Sequence, residues 1–159
     1  MAKNYSTEIA EAITDFLRSE DWNFEELNEE NGIIELGVKL NSKLKKADIY
    51  INVLENGFIV NAVPQLSADK DCIKDMTEFI TRANYGLHHG NFELDYRDGE
   101  IRYKTSLFIG DEIPTYDQIE AMIYISVKTL DRYGNGLAMV AFGMGTPEDA
   151  ICMCEEQED

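Results

Sequence analysis

Strands joined by tight turns and bracketed by amphipathic helices predict an α+β fold, a twisted antiparallel sheet of about five or six strands with helices packed on it. Three observations carry this. The apolar period switches from helical to two at Ile33 and returns to helical beyond Pro64. Asn56-Gly57 and Asp98-Gly99 each sit between alternating hydrophobics, the strongest short-range mark of a hairpin. Thr115 and Thr146 open helical runs with capping signatures. The predicted order is α-ββ-ββ-α-ββ-α-(short α), in a single domain over residues 1–159.

The first helix covers Thr7 to Ser19, with Ile9, Ile13, Phe16 and Leu17 at helical spacing and Ser6 or Thr7 as N-cap. From Ile33, the residues Ile34, Leu36, Val38 and Leu40 share one strand face and Glu35 and Lys39 the other. Asn31-Gly32 fails as a two-residue turn, because it would set Glu29 against Ile34 and Glu25 against Val38. The strand near Phe24–Asn28 is therefore expected to be irregular or to connect through a longer loop. A two-residue loop at Asn56-Gly57 sets Val53 opposite Val60 and Ile51 opposite Ala62. Both faces of that hairpin are partly apolar, which predicts a central place in a sheet covered on both sides.

Ser67 is the expected cap of a second helix, with Ile73, Met76, Ile80, Ala83 and Leu87 in its stripe and Gly86 or Gly90 at its end. A two-residue loop at Asp98-Gly99 pairs Arg97 with Glu100, Asp95 with Arg102 and Glu93 with Lys104, all opposite in charge. The other face of that hairpin is apolar. Thr115-x-x-Gln118 is a capping box for a third helix with Tyr116, Ile119, Ile123, Val127 and Leu130 in line. Met122, Tyr124 and Ile125 lie off that line, so the helix is apolar nearly all round and makes these three the candidate dimer contact. Gly134 and Gly136 are expected to stop it, leaving Leu137–Phe142 as a separate short run. Thr146-Pro147-Glu148-Asp149 starts a last helix, and the acidic tail over residues 155–159 is expected to fray.

Fourteen Lys and Arg against 31 Asp and Glu give a net charge of −17. That speaks against nucleic acid and against an anionic membrane surface as partners. No stretch is long and apolar enough to span a bilayer, and the N-terminal residues lack the apolar core of a signal peptide. Cys72, Cys152 and Cys154 are an odd set, which fits reduced thiols in the cytoplasm. Glycine-rich phosphate loops, nucleophile elbows and zinc-protease motifs are missing from the sequence. His88 and His89 are adjacent and diverge on any regular element, so one metal would rarely take both and structural or surface roles are expected of them; no metal site and no cofactor are expected in this chain. The one basic cluster is Lys39, Lys43, Lys45 and Lys46, a solvated loop or a docking point for an acidic partner.

Asn84, Gly90, Phe92, Asp95, Asp98, Gly99, Ser106 and Leu107 form the pattern of a helix ending in Asn, a Gly-x-Phe-x-x-Asp strand, an Asp-Gly turn and a strand leading to Ser-Leu. In this stretch, and in the closing Thr146-Pro147-Glu148-Asp149-Ala150-Ile151, the chain resembles the YbjN family of bacterial sensory transduction regulators. The resemblance implies a fold similar to type III secretion chaperones, which are small, acidic, often dimeric and bind extended protein segments. It brings no catalytic residues. The sequence thus points to a non-enzymatic protein-binding module, a cytoplasmic regulator or chaperone-like adaptor acting as a homodimer. The alternative is a small-ligand sensor or enzyme with an unrecognised pocket.

Overall fold

The computed structural model describes residues 3–156. Its elements are α1 (Thr7–Ser19), β1 (Phe24–Asn28), β2 (Ile33–Lys39), β3 (Lys46–Val53), β4 (Gly57–Pro64), α2 (Ile73–Asn84), β5 (Asn91–Leu94), β6 (Ile101–Phe108), α3 (Tyr116–Ala141) and α4 (Pro147–Glu155). The α+β class and the element order are as the sequence predicts. The strands form one six-stranded antiparallel sheet in the order β1-β2-β3-β4-β6-β5.

Alternation along the strands sorts the sheet into two unlike faces. Ile34, Ile49, Ile51, Phe58, Val60 and Tyr103 are fully buried and share a core with α1, α2 and α3. Their strand neighbours Tyr50, Asn52, Ile59, Arg102 and Lys104 are only half-buried, and Glu35 is exposed. The helices therefore cover one face, not two. Ile59 and Val63 belong to the open face, where β-branched residues pack against their cross-strand neighbours without a covering layer.

Both hairpin registers differ from the sequence expectation, and by the same step. Val53 lies opposite Phe58 and Ile51 opposite Val60. The Leu54 N–H donates to the Gly57 carbonyl at 2.9 Å, so the loop is Glu55-Asn56 and Gly57 already belongs to β4. Gly57 is needed for close approach instead, since a Cβ there would stand 2.1 Å from the Leu107 carbonyl oxygen. In the second hairpin Phe92 lies opposite Tyr103 and Glu93 opposite Arg102. The Asp95 N–H donates to the Glu100 carbonyl, which leaves Tyr96 to Gly99 as the loop. The predicted Arg97–Glu100 and Asp95–Arg102 pairs do not form. Arg97 turns back onto Asp95, and Glu93 accepts from both Arg102 and Lys104. Each slip is two residues, one full pleat period, so every side chain stays on its predicted face. The irregular first strand is as expected, with a register shift between Glu25 and Asn28.

The second helix starts later than predicted. Ser67 bridges to Glu100 across the sheet rather than capping. The Asp69 carboxylate takes the Asp71 and Cys72 N–H groups just ahead of α2. The helix ends at Asn84, before Leu87, because the Asn84 side chain is engaged with β5. It accepts from the Phe92 N–H at 2.7 Å and donates to the Phe92 carbonyl at 3.1 Å.

The largest correction concerns α3. Gly134 and Gly136 do not stop it, and the run from Leu137 forms its last turns. The roughly 1 kcal/mol that each interior glycine costs a helix is outweighed by contacts only glycine permits. A Cβ at Gly134 would stand 2.2 Å from Ser42 Oγ, and one at Gly136 would stand 2.7 Å from both the Phe79 ring and Cys154 Sγ. α4 starts as predicted, on a capping box formed by Thr146 and Asp149. Of the tail expected to fray, Glu155 is helical and accepts from the buried Tyr133 hydroxyl at 2.9 Å, whereas residues 157–159 lie outside the described residues.

Two strand glycines should respond oppositely to one methyl group. Gly57→Ala is expected to lower unfolding stability by about 1–3 kcal/mol through the clash with Leu107. Gly37→Ala, where a Cβ meets nothing within 4 Å, is expected to be neutral or stabilising by up to about 1 kcal/mol. Urea midpoints of the two variants check both.

Candidate functional site

The connection from β2 to β3 turns sharply at Lys45, which takes a left-handed backbone with φ of 65°. Free backbone N–H groups in such a loop would ordinarily be left to water. Here two side chains on α3 take them. Asp131 accepts from the N–H of Ser42 at 2.8 Å and of Asn41 at 3.1 Å. One turn on, Asn135 accepts from the N–H of Lys43 at 2.9 Å. Ser42 is buried against the bare backbone of Gly134, which lies between those two on the helix. Partial burial pushes the Asp131 carboxyl up, but the donors from Ser42 and Asn41 outweigh it and hold the group below its ordinary value.

This clamp holds the loop that carries Lys43 and Lys45, and the strand ends on either side carry Lys39 and Lys46, which completes the four lysines singled out by sequence. Lys39, Lys43, Lys45 and Lys46 are all exposed. Lys39 and Lys46 lie directly opposite each other in the β2–β3 ladder. Like charges directly opposite are destabilising by roughly 0.2–1 kcal/mol. Among the described residues, none of the four ammonium groups pairs with a carboxylate, although the chain carries 31 acidic residues. The contrast is Lys104, which shares Glu93 with Arg102 further along the same sheet face. Four paired cations would be unremarkable on an acidic protein, whereas four unpaired ones on a fixed corner concentrate positive potential in one place.

The other sequence candidates are not brought together. Met122 and Ile125 are half-buried on one flank of α3, and Tyr124 is 58% exposed on the opposite flank. The helical repeat thus divides the expected dimer contact rather than gathering it. His88 and His89 lie exposed in the loop after α2, and the described residues contain no group of three or more potential metal ligands. Cys72 and Cys154 are buried free thiols, each pushed up by burial. A hollow of about 690 Å³ by the β5–β6 turn is lined by charges such as Asp95, Arg97 and Arg102. Those charges are already paired, and Arg97 holds the Asp95 carboxyl down at about 2. No described helix is long and apolar enough to cross a membrane.

Asp131 and Asn135 were missed by sequence reasoning. Their signal is two side-chain acceptors four apart on either side of a glycine, and it becomes legible only once α3 is known to continue past Gly134.

Residues 10–139 match the sequence profile of YbjN, described as "Putative bacterial sensory transduction regulator". The chain belongs to the YbjN family. Among solved structures it is similar to the one titled "Crystal structure of YbjN, a putative transcription regulator from E. coli". That match has a TM-score of 0.60 at 14% identity and covers 84% of this chain and 88% of the other. At that identity the likeness shows a shared fold. No curated protein matches the chain. The YbjN description is of a regulator and names no reaction.

Removing the clamp should cost stability in a pH-dependent way. Asp131→Ala leaves two loop N–H groups without their acceptor, an expected loss of about 0.5–2 kcal/mol. Because the folded carboxyl titrates below its ordinary value, the wild type's advantage is full above the ordinary carboxylate range. It fades as pH falls through the folded value. Urea unfolding of both proteins at neutral and acid pH reads the difference.

Proposed function

We propose that this protein is a non-enzymatic regulator of the YbjN family that works by holding a segment of a partner protein, in the manner of a chaperone-like adaptor. It acts as a single domain in the cytoplasm. The observation that carries this reading is the lysine corner: Lys39, Lys43, Lys45 and Lys46 are exposed and unpaired among the described residues, at a loop whose backbone is anchored at residues 41–43 by Asp131 and Asn135. Fixed unpaired cations on a protein of net charge −17 favour a short acidic segment that reaches the corner without lying along the rest of the surface. A nucleic-acid backbone would meet that negative field over its whole length.

The open sheet face runs from this corner toward β6. It offers Tyr50, Ile59 and Val63 for apolar contact. Asn52 and Asn61 on the same face each keep a buried side-chain oxygen with no hydrogen-bond partner among the described residues. Self-association through Met122, Tyr124 and Ile125 remains part of the proposal only for Met122 and Ile125, which share a flank.

Affinity capture from the source cell with crosslinking tests the reading. Wild type should retain a dominant partner, and the double variant Lys43→Glu/Lys45→Glu should lose most of it, with capture by wild type also weakening as salt is raised. Equal capture by wild type and variant would contradict the proposal.

A further inference from the structure

A second site lies on the neighbouring flank of α3; it shares Lys128 with the hollow lined by Asn41, Ser42 and Asp131 beside the lysine corner, but it is argued from other observations than the reading above. α1 ends at Ser19, and the chain turns back through Asp21, which takes a left-handed backbone with φ of 54°. The Trp22 N–H then donates to the Leu17 carbonyl at 2.9 Å, fixing the indole beside the end of α1. Facing it on α3 is the row Glu120, Tyr124, Lys128, spaced four apart and so stacked on one flank of the helix. Between them is a slot of about 150 Å³ walled by Phe16, Trp22, Ile123, Tyr124 and Val127, with Glu120 and Lys128 also in its lining. An apolar cavity of roughly this volume is the size that takes a benzene ring.

We propose that this slot binds a small zwitterionic aromatic molecule of the aromatic amino-acid class, with the ring between Trp22 and Tyr124. The chemistry of the lining selects that class. The walls are aromatic and aliphatic, which calls for a ring rather than a polar group. A cationic aromatic ligand would meet Lys128, whose Nζ already sits 5.4 Å from the centroid of the Tyr124 ring. An anionic one would approach against the net charge of −17 and find Glu120 in the lining. A molecule carrying one ammonium and one carboxylate has no net charge to repel. It can give its ammonium to Glu120 and its carboxylate to Lys128, which has no hydrogen bond or ion pair of its own among the described residues.

Trp22 is the single tryptophan of the chain, so its emission reports on the slot directly. The probes are L-phenylalanine, phenylacetate and 2-phenylethylamine, titrated against the full chain with Trp22 excited selectively. Phenylalanine should give a saturable change in emission, and each singly charged analogue should bind roughly tenfold more weakly through loss of one charge-assisted hydrogen bond. Lys128→Met should bring phenylalanine to the level of phenylethylamine. Tyr124→Ala, at a residue 58% exposed, should abolish the response while far-ultraviolet circular dichroism stays unchanged. No saturable response to phenylalanine, an equal response to all three probes, or a response that survives in a folded Tyr124→Ala protein would each overturn the proposal.

Discussion

The continuity of α3 through Gly134 and Gly136 is the constraint on which the rest of this structure depends. At 26 residues the helix is about 39 Å long and reaches across the sheet. Its first half lies on β4 and β6, where Ser126 and Thr105 share a buried hydrogen bond of 2.9 Å and Thr105 also donates to the Met122 carbonyl. Its second half meets α2, α4 and the β2–β3 loop. The two glycines sit where those three neighbours press closest. A helix stopped at Gly134 would leave Phe79, Cys154 and Ser42 without the surface they pack on. It would also carry Asn135 away from the loop it caps.

That same helix converts a loop into a fixed corner. Side-chain acceptors on a rigid element take up the loop's backbone donors, so the lysines are presented rather than merely tethered. The cost is visible in the ladder, where Lys39 faces Lys46 with no acid between them. A chain with more than twice as many acids as bases could have paired these cations without difficulty. Leaving them unpaired costs a little stability and leaves four exposed ammonium groups on one corner, which the proposed docking of an acidic segment would use. On the open sheet surface Tyr50, Ile59 and Val63 are half-buried, with no covering layer among the described residues.

Much of the fold was legible in the sequence because periodicity and capping act locally. Ser6, Thr115 and Thr146 cap where their spacing requires, and Ile34 and Ile51 are buried as the period of two demands. The registers were less legible. An Xaa-Gly pair announces a hairpin, yet Gly57 serves a close approach to Leu107 and Gly99 closes a longer loop beside Ala68. Glycine has several uses and sequence alone does not separate them. The lysines of the site were visible as a cluster. Asp131 and Asn135 were not, because the expected helix stop at Gly134 hid the element that aligns them with the loop. The candidate dimer residues are divided between flanks for the converse reason: an apolar count along α3 does not say which flank each residue takes, and Tyr124 takes the far one from Met122.

The most direct test of this account is amide hydrogen exchange at Asn41, Ser42 and Lys43. If Asp131 and Asn135 clamp the loop to an unbroken α3, these three amides exchange slowly, at rates comparable to those of the paired β2 and β3 strands. Exchange at the rate of a free loop would contradict the clamp, and with it the claim that the lysine corner is held ready for a partner.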